Sequence, residues 1–131
     1  SDGEGATKLI EVVVENAGSP GDAHKAASTV AKSPLVKTTI FGEDANWGRI
    51  FNAVGYSGVE FDPDYTDIYI GDVLVCKNGC AVDFDENAAR ETLKKDEVKL
   101  LININKGVYS DRVWTCDFSY DYVKINSSYR S

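Results

Sequence analysis

The chain has 131 residues, 43% of them hydrophobic and 11% aromatic, which suits one domain with one core and excludes a disordered chain. A formal net charge of −7 argues against binding a phosphate backbone, which needs a basic face. No apolar run approaches the ~18 residues of a membrane span, and no signal segment opens the chain.

In chain order, SDGEGATK comes first, with Glu4 between Gly3 and Gly5. ATKLIEVVVEN then alternates and is rich in β-branched residues, which predicts a strand. DAHKAASTVAKS predicts a helix with Ala23, Ala26, Ala27, Val30 and Ala31 inward and Pro34 ending it. LVKTTIFG is expected as a second strand, and NWGRIFNAVGYSG as a helix with Trp47, Ile50, Phe51 and Val54 on one face. VEFDPDY is a loop. TDIYIGDVLVCKNGCAV predicts two short strands in a hairpin, turned at Asn78-Gly79.

FDENAARETLKKD predicts a helix capped by Asp85, with lysines at its C-terminal dipole. EVKLLININ is a strand with Val98, Leu100, Ile102 and Ile104 on one face. DRVWTCDFSYDYVKIN is expected as one long final strand, with Trp114, Cys116, Phe118, Tyr120 and Tyr122 sharing a face. The order β-α-β-α-β-β-α-β-β implies an α/β or α+β sandwich: a mixed sheet with helices. A single domain spans 1–131, without repeats or low-complexity tracts.

Few residues suggest chemistry by themselves. The three cysteines, Cys76, Cys80 and Cys116, form an odd set, which favours free thiols over a disulfide framework. Cys76 and Cys80 flank a turn and could face each other. A zinc site wants about four ligands, and His24 is the only histidine, on a separate helix, so no metal is expected. The same lone His24 gives no basis for a Ser-His or Cys-His pair, and its default reading is a solvent-facing helix residue. Ser1 could use its own amine as a base, but nothing nearby offers an oxyanion hole.

GEGATK lacks both the spacing and the following helix of a phosphate loop. A carboxylate between glycines suits an amine that the backbone can approach closely; a plain entry turn is the alternative. In FGEDANWGRI, Asp44 or Asn46 can cap a helix that Trp47 anchors; alternatively, Arg49 meets a carboxylate at the edge of a pocket. The polar end KINSSYRS is a solvated tail or a source of hydrogen bonds to a ligand.

DGEGATK, SPLVKTTIFGEDANWGRI, GYSG and WTCDFSYDYVKINSSYRS, in this order from residue 2 to 131, resemble the C-terminal part of the ornithine acetyltransferase (ArgJ) family. The resemblance implies an acyltransferase of arginine biosynthesis with a DmpA/ArgJ-like fold. Such enzymes move acetyl from N2-acetyl-L-ornithine to L-glutamate through an acyl-threonine, and some members also take it from acetyl-CoA. They need no other cofactor. The precursor cuts itself into an α chain and a β chain, and the nucleophilic threonine heads the β chain. That segment has no counterpart here, so this chain is expected to be the C-terminal domain of the β chain and inactive alone.

Its implied partners are the α chain and the rest of the β chain, in a cytoplasmic hetero-oligomer, with neither nucleic acid nor membrane. The family's substrate contacts carry over to Glu4 of the DGEG motif, Asn126 of the KIN motif and the terminal Ser131. Outside the family, an assembly domain or an amino-acid-binding module are the alternatives.

Overall fold

The computed structural model describes residues 8–116 and the backbone of 123–125. β1 (Leu9–Ala17) is followed by three helices, α1 (Pro20–Lys32), α2 (Pro34–Phe41) and α3 (Trp47–Tyr56). A 3-10 turn (Pro63–Tyr65) leads into β2 (Asp67–Ile70), β3 (Val73–Lys77) and β4 (Cys80–Ala81). Then come α4 (Glu86–Leu93), β5 (Glu97–Asn103), β6 (Tyr109–Cys116) and β7 (Val123–Ile125). The strands form one sheet in the order β4-β3-β2-β5-β1-β6-β7. Only β1 and β5 run parallel; the other neighbours are antiparallel, so the sheet is mixed and the class is α+β, as expected.

Alternation in β1 sets the two faces of the sheet. Ile10, Val12 and Val14 stand opposite Val98, Leu100 and Ile102 of β5 and are buried to 1% exposure or less. Fully burying side chains of this size contributes about 1.5–3 kcal/mol each. α1 lies on this face against β1 and β6. It presents the expected Ala23, Ala26, Ala27, Val30 and Ala31, whose small side chains let its backbone sit close to the strands. Its start lies at Pro20, where Ser19 accepts a hydrogen bond from the Asp22 amide. α4 packs near β2, and its Asp85 cap accepts from the amides of Asn87 and Ala88. On the opposite face Leu9, Glu11, Tyr69, Leu101 and Trp114 remain half-exposed.

Two expected elements differ. LVKTTIFG is helical, not a strand: Ser33 caps it by accepting from the Val36 amide, and Pro34 occupies its first turn. Val36, Thr39 and Ile40 are then buried at helical spacing, so capping and packing outweigh the β-branched propensity. The proline that ends α1 therefore also begins α2. The long final strand is two strands, because β7 pairs antiparallel with β6, Val113 lying opposite Ile125. The expected common face of Phe118, Tyr120 and Tyr122 lies outside the described residues.

The Asn78-Gly79 hairpin is present with positive φ at both residues, 52° and 74°. This matches the primed turn whose twist fits flanking strands. It joins β3 to the two-residue β4, so the segment holds three strands rather than two. Cys76 pairs with Ala81 while Lys77 pairs with Cys80. The two cysteines are therefore not opposite one another: Cys76 is buried and Cys80 exposed.

Candidate functional site

Glu4, Asn126 and Ser131, the expected substrate contacts, lie outside the described residues. Lys8, the first described residue, donates from Nζ to the Lys95 carbonyl at 2.8 Å and also to the Leu93 carbonyl. Those carbonyls lie at the end of α4, where a cation complements the helix dipole. At the other end Ile125 is opposite Val113 on β6, and Val113 is in turn opposite Val12 of β1. β1 and β7 thus flank β6 on either side.

The Asn-Trp-Gly-Arg box forms the entry to α3. Asn46 occupies the cap position but makes no side-chain capping bond, and no acid sits in the first turn. Trp47 packs edge-on against Phe51, with centroids 6.1 Å apart, and Phe51 against Phe61 at 6.0 Å. Trp47 is thus the expected anchor, with Ile50 and Val54 fully buried beside it. Arg49 reaches back to α2, donating from Nη1 to Thr39 Oγ1 at 3.4 Å. Thr39 is 2% exposed, so this contact ties the two helices together beneath the surface. Lys37, on the same helix, is buried as well.

His24 is not the solvent-facing residue the sequence suggests. Its Nδ1 lies 3.0 Å from Asp111 Oδ2, joining α1 to β6 across 87 residues of sequence. Asp111 sits on the inner face opposite Val14, and its other oxygen accepts from the Arg112 amide. The nearly buried carboxylate holds the imidazole, so the pair links the helical layer to the sheet. Amphipathic spacing did not reveal it, since the partner lies far away in sequence.

A second polar junction surrounds Asp67, 2% exposed. Its carboxylate accepts from the Asn78 amide at 2.9 Å, Lys77 Nζ at 3.2 Å and Asn105 Nδ2 at 3.3 Å. Burial raises the neighbouring Cys76 thiol from an ordinary 9.0 to about 11. It therefore stays protonated and is a poor nucleophile. Among the described residues no group of three His, Cys, Asp or Glu is placed to hold a metal ion. No described helix is long and apolar enough to cross a membrane.

The described residues define a two-layer α+β unit, a mixed sheet with helices on one face, joined by polar links. The family model of the ArgJ family matches residues 1–131. The chain therefore belongs to the ArgJ family. It is 56% identical to the arginine biosynthesis bifunctional protein ArgJ of Caldanaerobacter subterraneus subsp. tengcongensis, over 99% of this chain and 33% of that protein. It is 52% identical to ArgJ of Symbiobacterium thermophilum, over 99% of this chain and 32% of that protein. The chain thus spans about a third of the length of the curated relatives it matches. A crystal structure of ArgJ from Bacillus halodurans superposes with a TM-score of 0.83 at 45% identity, covering 92% of this chain and 57% of that one.

Proposed function

We propose that this chain supplies part of the substrate site of an acetyltransferase of arginine biosynthesis, which moves acetyl from N2-acetyl-L-ornithine to L-glutamate. The observation that carries this reading is membership of the ArgJ family along residues 1–131, with DGEG at one end and KIN and a terminal serine at the other. The nucleophile is a threonine outside this chain, with its own amine as base. Its hydroxyl attacks the acetyl carbonyl, the amide bond breaks, and ornithine leaves with the proton. The glutamate amine then attacks the ester, forming the new amide and returning a proton to the threonine oxygen. Such chemistry needs no histidine. Oxyanion-hole donors, also outside this chain, stabilise both tetrahedral intermediates.

In this scheme the Glu4 carboxylate holds the substrate ammonium and helps deprotonate the incoming amine. Asn126 and Ser131 orient the amino-acid end by hydrogen bonds. Partners are the α chain and the rest of the β chain, and acetyl-CoA is a second donor to be tested. The experiment is Glu4→Gln in the full-length enzyme. A lost acid–base group costs about 10²–10⁴ in rate. Acetyl transfer should fall in that range while self-cleavage and folding persist; unchanged transfer would refute the role.

Assembly without a direct substrate contact is the second reading. Leu35 and Tyr56, 55% and 80% exposed, favour it, because they flank a groove of about 370 Å³ between α1 and α3. Titrating the isolated chain with N2-acetyl-L-ornithine distinguishes an amino-acid-binding module, which binds alone, from a half-site or an assembly domain, which does not.

A further inference from the structure

β1 and β5, near the middle of the sheet, run parallel. Parallel strands are characteristically covered on both faces and read as continuous apolar runs. These two do: Val12, Val13 and Val14 are consecutive and buried, with Leu100, Leu101 and Ile102 opposite them in register. Val12 and Val14 belong to the core beneath the helices, whereas Val13 does not and points to the other face. There it starts a row across the strands: Val13 is opposite Leu101, Leu101 opposite Tyr69, and Tyr69 opposite Leu74. Trp114, opposite Glu11, adds an indole to the same face. Val13 is 8% exposed, while Leu101, Tyr69, Leu74 and Trp114 are half-exposed. Buried residues of all four helices join the core on the opposite face, so no described helix covers this row. Charged residues stand at its margin, where Arg112 donates to Glu11 at 2.9 Å. An apolar centre inside a charged rim is the make-up of a docking surface.

We propose that this sheet face docks an apolar element of the full-length protein that lies outside residues 1–131. The chain spans about a third of its curated relatives, so about two-thirds of such a polypeptide is available to cover the face. The Bacillus halodurans chain likewise extends well beyond its match, which takes up 57% of it. Covalent linkage favours this occupant over a second copy, because a tethered segment acts at an effective concentration of about millimolar. A second copy would also bring together two chains of formal charge −7, which repel. The occupant presents aliphatic or aromatic side chains to the row of Leu101 and Tyr69 and polar groups to the rim. Docking here does not depend on the acetyl-transfer reading, so the failure of either leaves the other standing.

The test uses the full-length protein. In the unsubstituted protein, hydroxyl-radical oxidation read by mass spectrometry should mark Trp114 about tenfold more slowly than Tyr65, which is 59% exposed. Oxidation of Trp114 as fast as that of Tyr65 would show an open face and overturn the proposal. Tyr69→p-benzoylphenylalanine, a photoreactive substitution, then identifies the occupant in a mixture of isotope-labelled and unlabelled protein. The same group at Leu101 keeps the test decisive where the Tyr69 variant fails to fold. The expected product joins the photoreactive residue to a peptide outside residues 1–131 of the same molecule. A product joining a labelled to an unlabelled molecule would assign the face to a second copy. A product confined to residues 1–131 would assign it to this domain itself, and either result overturns the proposal.

Discussion

Removing the Asp67 carboxylate should destabilise the sheet end that carries the β3–β4 hairpin. In Asp67→Ala the Asn78 amide loses the acceptor it meets at 2.9 Å, inside a turn with positive φ on both residues. Leaving a partly buried amide unpaired costs about 1–3 kcal/mol. The Lys77 ammonium adds little, since its side chain is 51% exposed and a screened pair contributes about 0–1 kcal/mol. Asn105 keeps its 2.8 Å bond to the Tyr65 carbonyl, so its loss is partial. The total is about 1–4 kcal/mol, or roughly 3–16 °C in Tm for a domain of this size. Urea titration followed by far-UV circular dichroism measures it. Asp67→Asn keeps an oxygen for the Asn78 amide and should lose about half as much. A loss below about 0.5 kcal/mol in Asp67→Ala would show that the junction is not a stabilising one.

Gly79→Ala should be worse than an ordinary turn substitution, because φ is +74° and the new Cβ would lie 2.3 Å from the Pro63 carbonyl oxygen. The left-handed conformation alone costs about 1–2 kcal/mol, so a Tm unchanged by the substitution would contradict the turn described. Leu100→Ala, in the fully buried centre of β5, should cost about 2–5 kcal/mol by urea denaturation. For Cys76 the folded thiol titrates near 11 against an ordinary 9.0, so the folded state retains its proton where the unfolded chain has released it. Its contribution is therefore full below pH 9 and declines as pH rises toward 11, a fall in stability that Cys76→Ser should reduce. In the native protein a thiol reagent should label exposed Cys80 quickly and buried Cys76 and Cys116 only on unfolding.

Local patterns fixed most elements correctly because the determinants of those elements are local. The alternation of β1 and β5, the Asp85 cap and the Asn78-Gly79 turn are each decided within a few residues. α2 was obscured because Val36, Thr38, Thr39 and Ile40 favour strands by propensity, while the features that make it helical are a serine cap and burial against other helices. The reversal between β6 and β7 was hidden by an uninterrupted β-rich sequence. Helix-to-strand links such as His24 to Asp111, and Arg49's contact with Thr39, depend on which elements meet in space. Glu4, Asn126 and Ser131 are proposed through family resemblance alone, since a glycine-flanked acid or a polar tail suggests little chemistry by itself, and they lie outside the described residues.

The most direct test of the proposed function is transfer of a labelled acetyl group from N2-acetyl-L-ornithine to L-glutamate, measured with this chain alone and within the full-length enzyme. The account predicts labelled N-acetylglutamate from the full-length enzyme and none from the isolated chain. Equal transfer by the isolated chain, or none by the full-length enzyme, would contradict it.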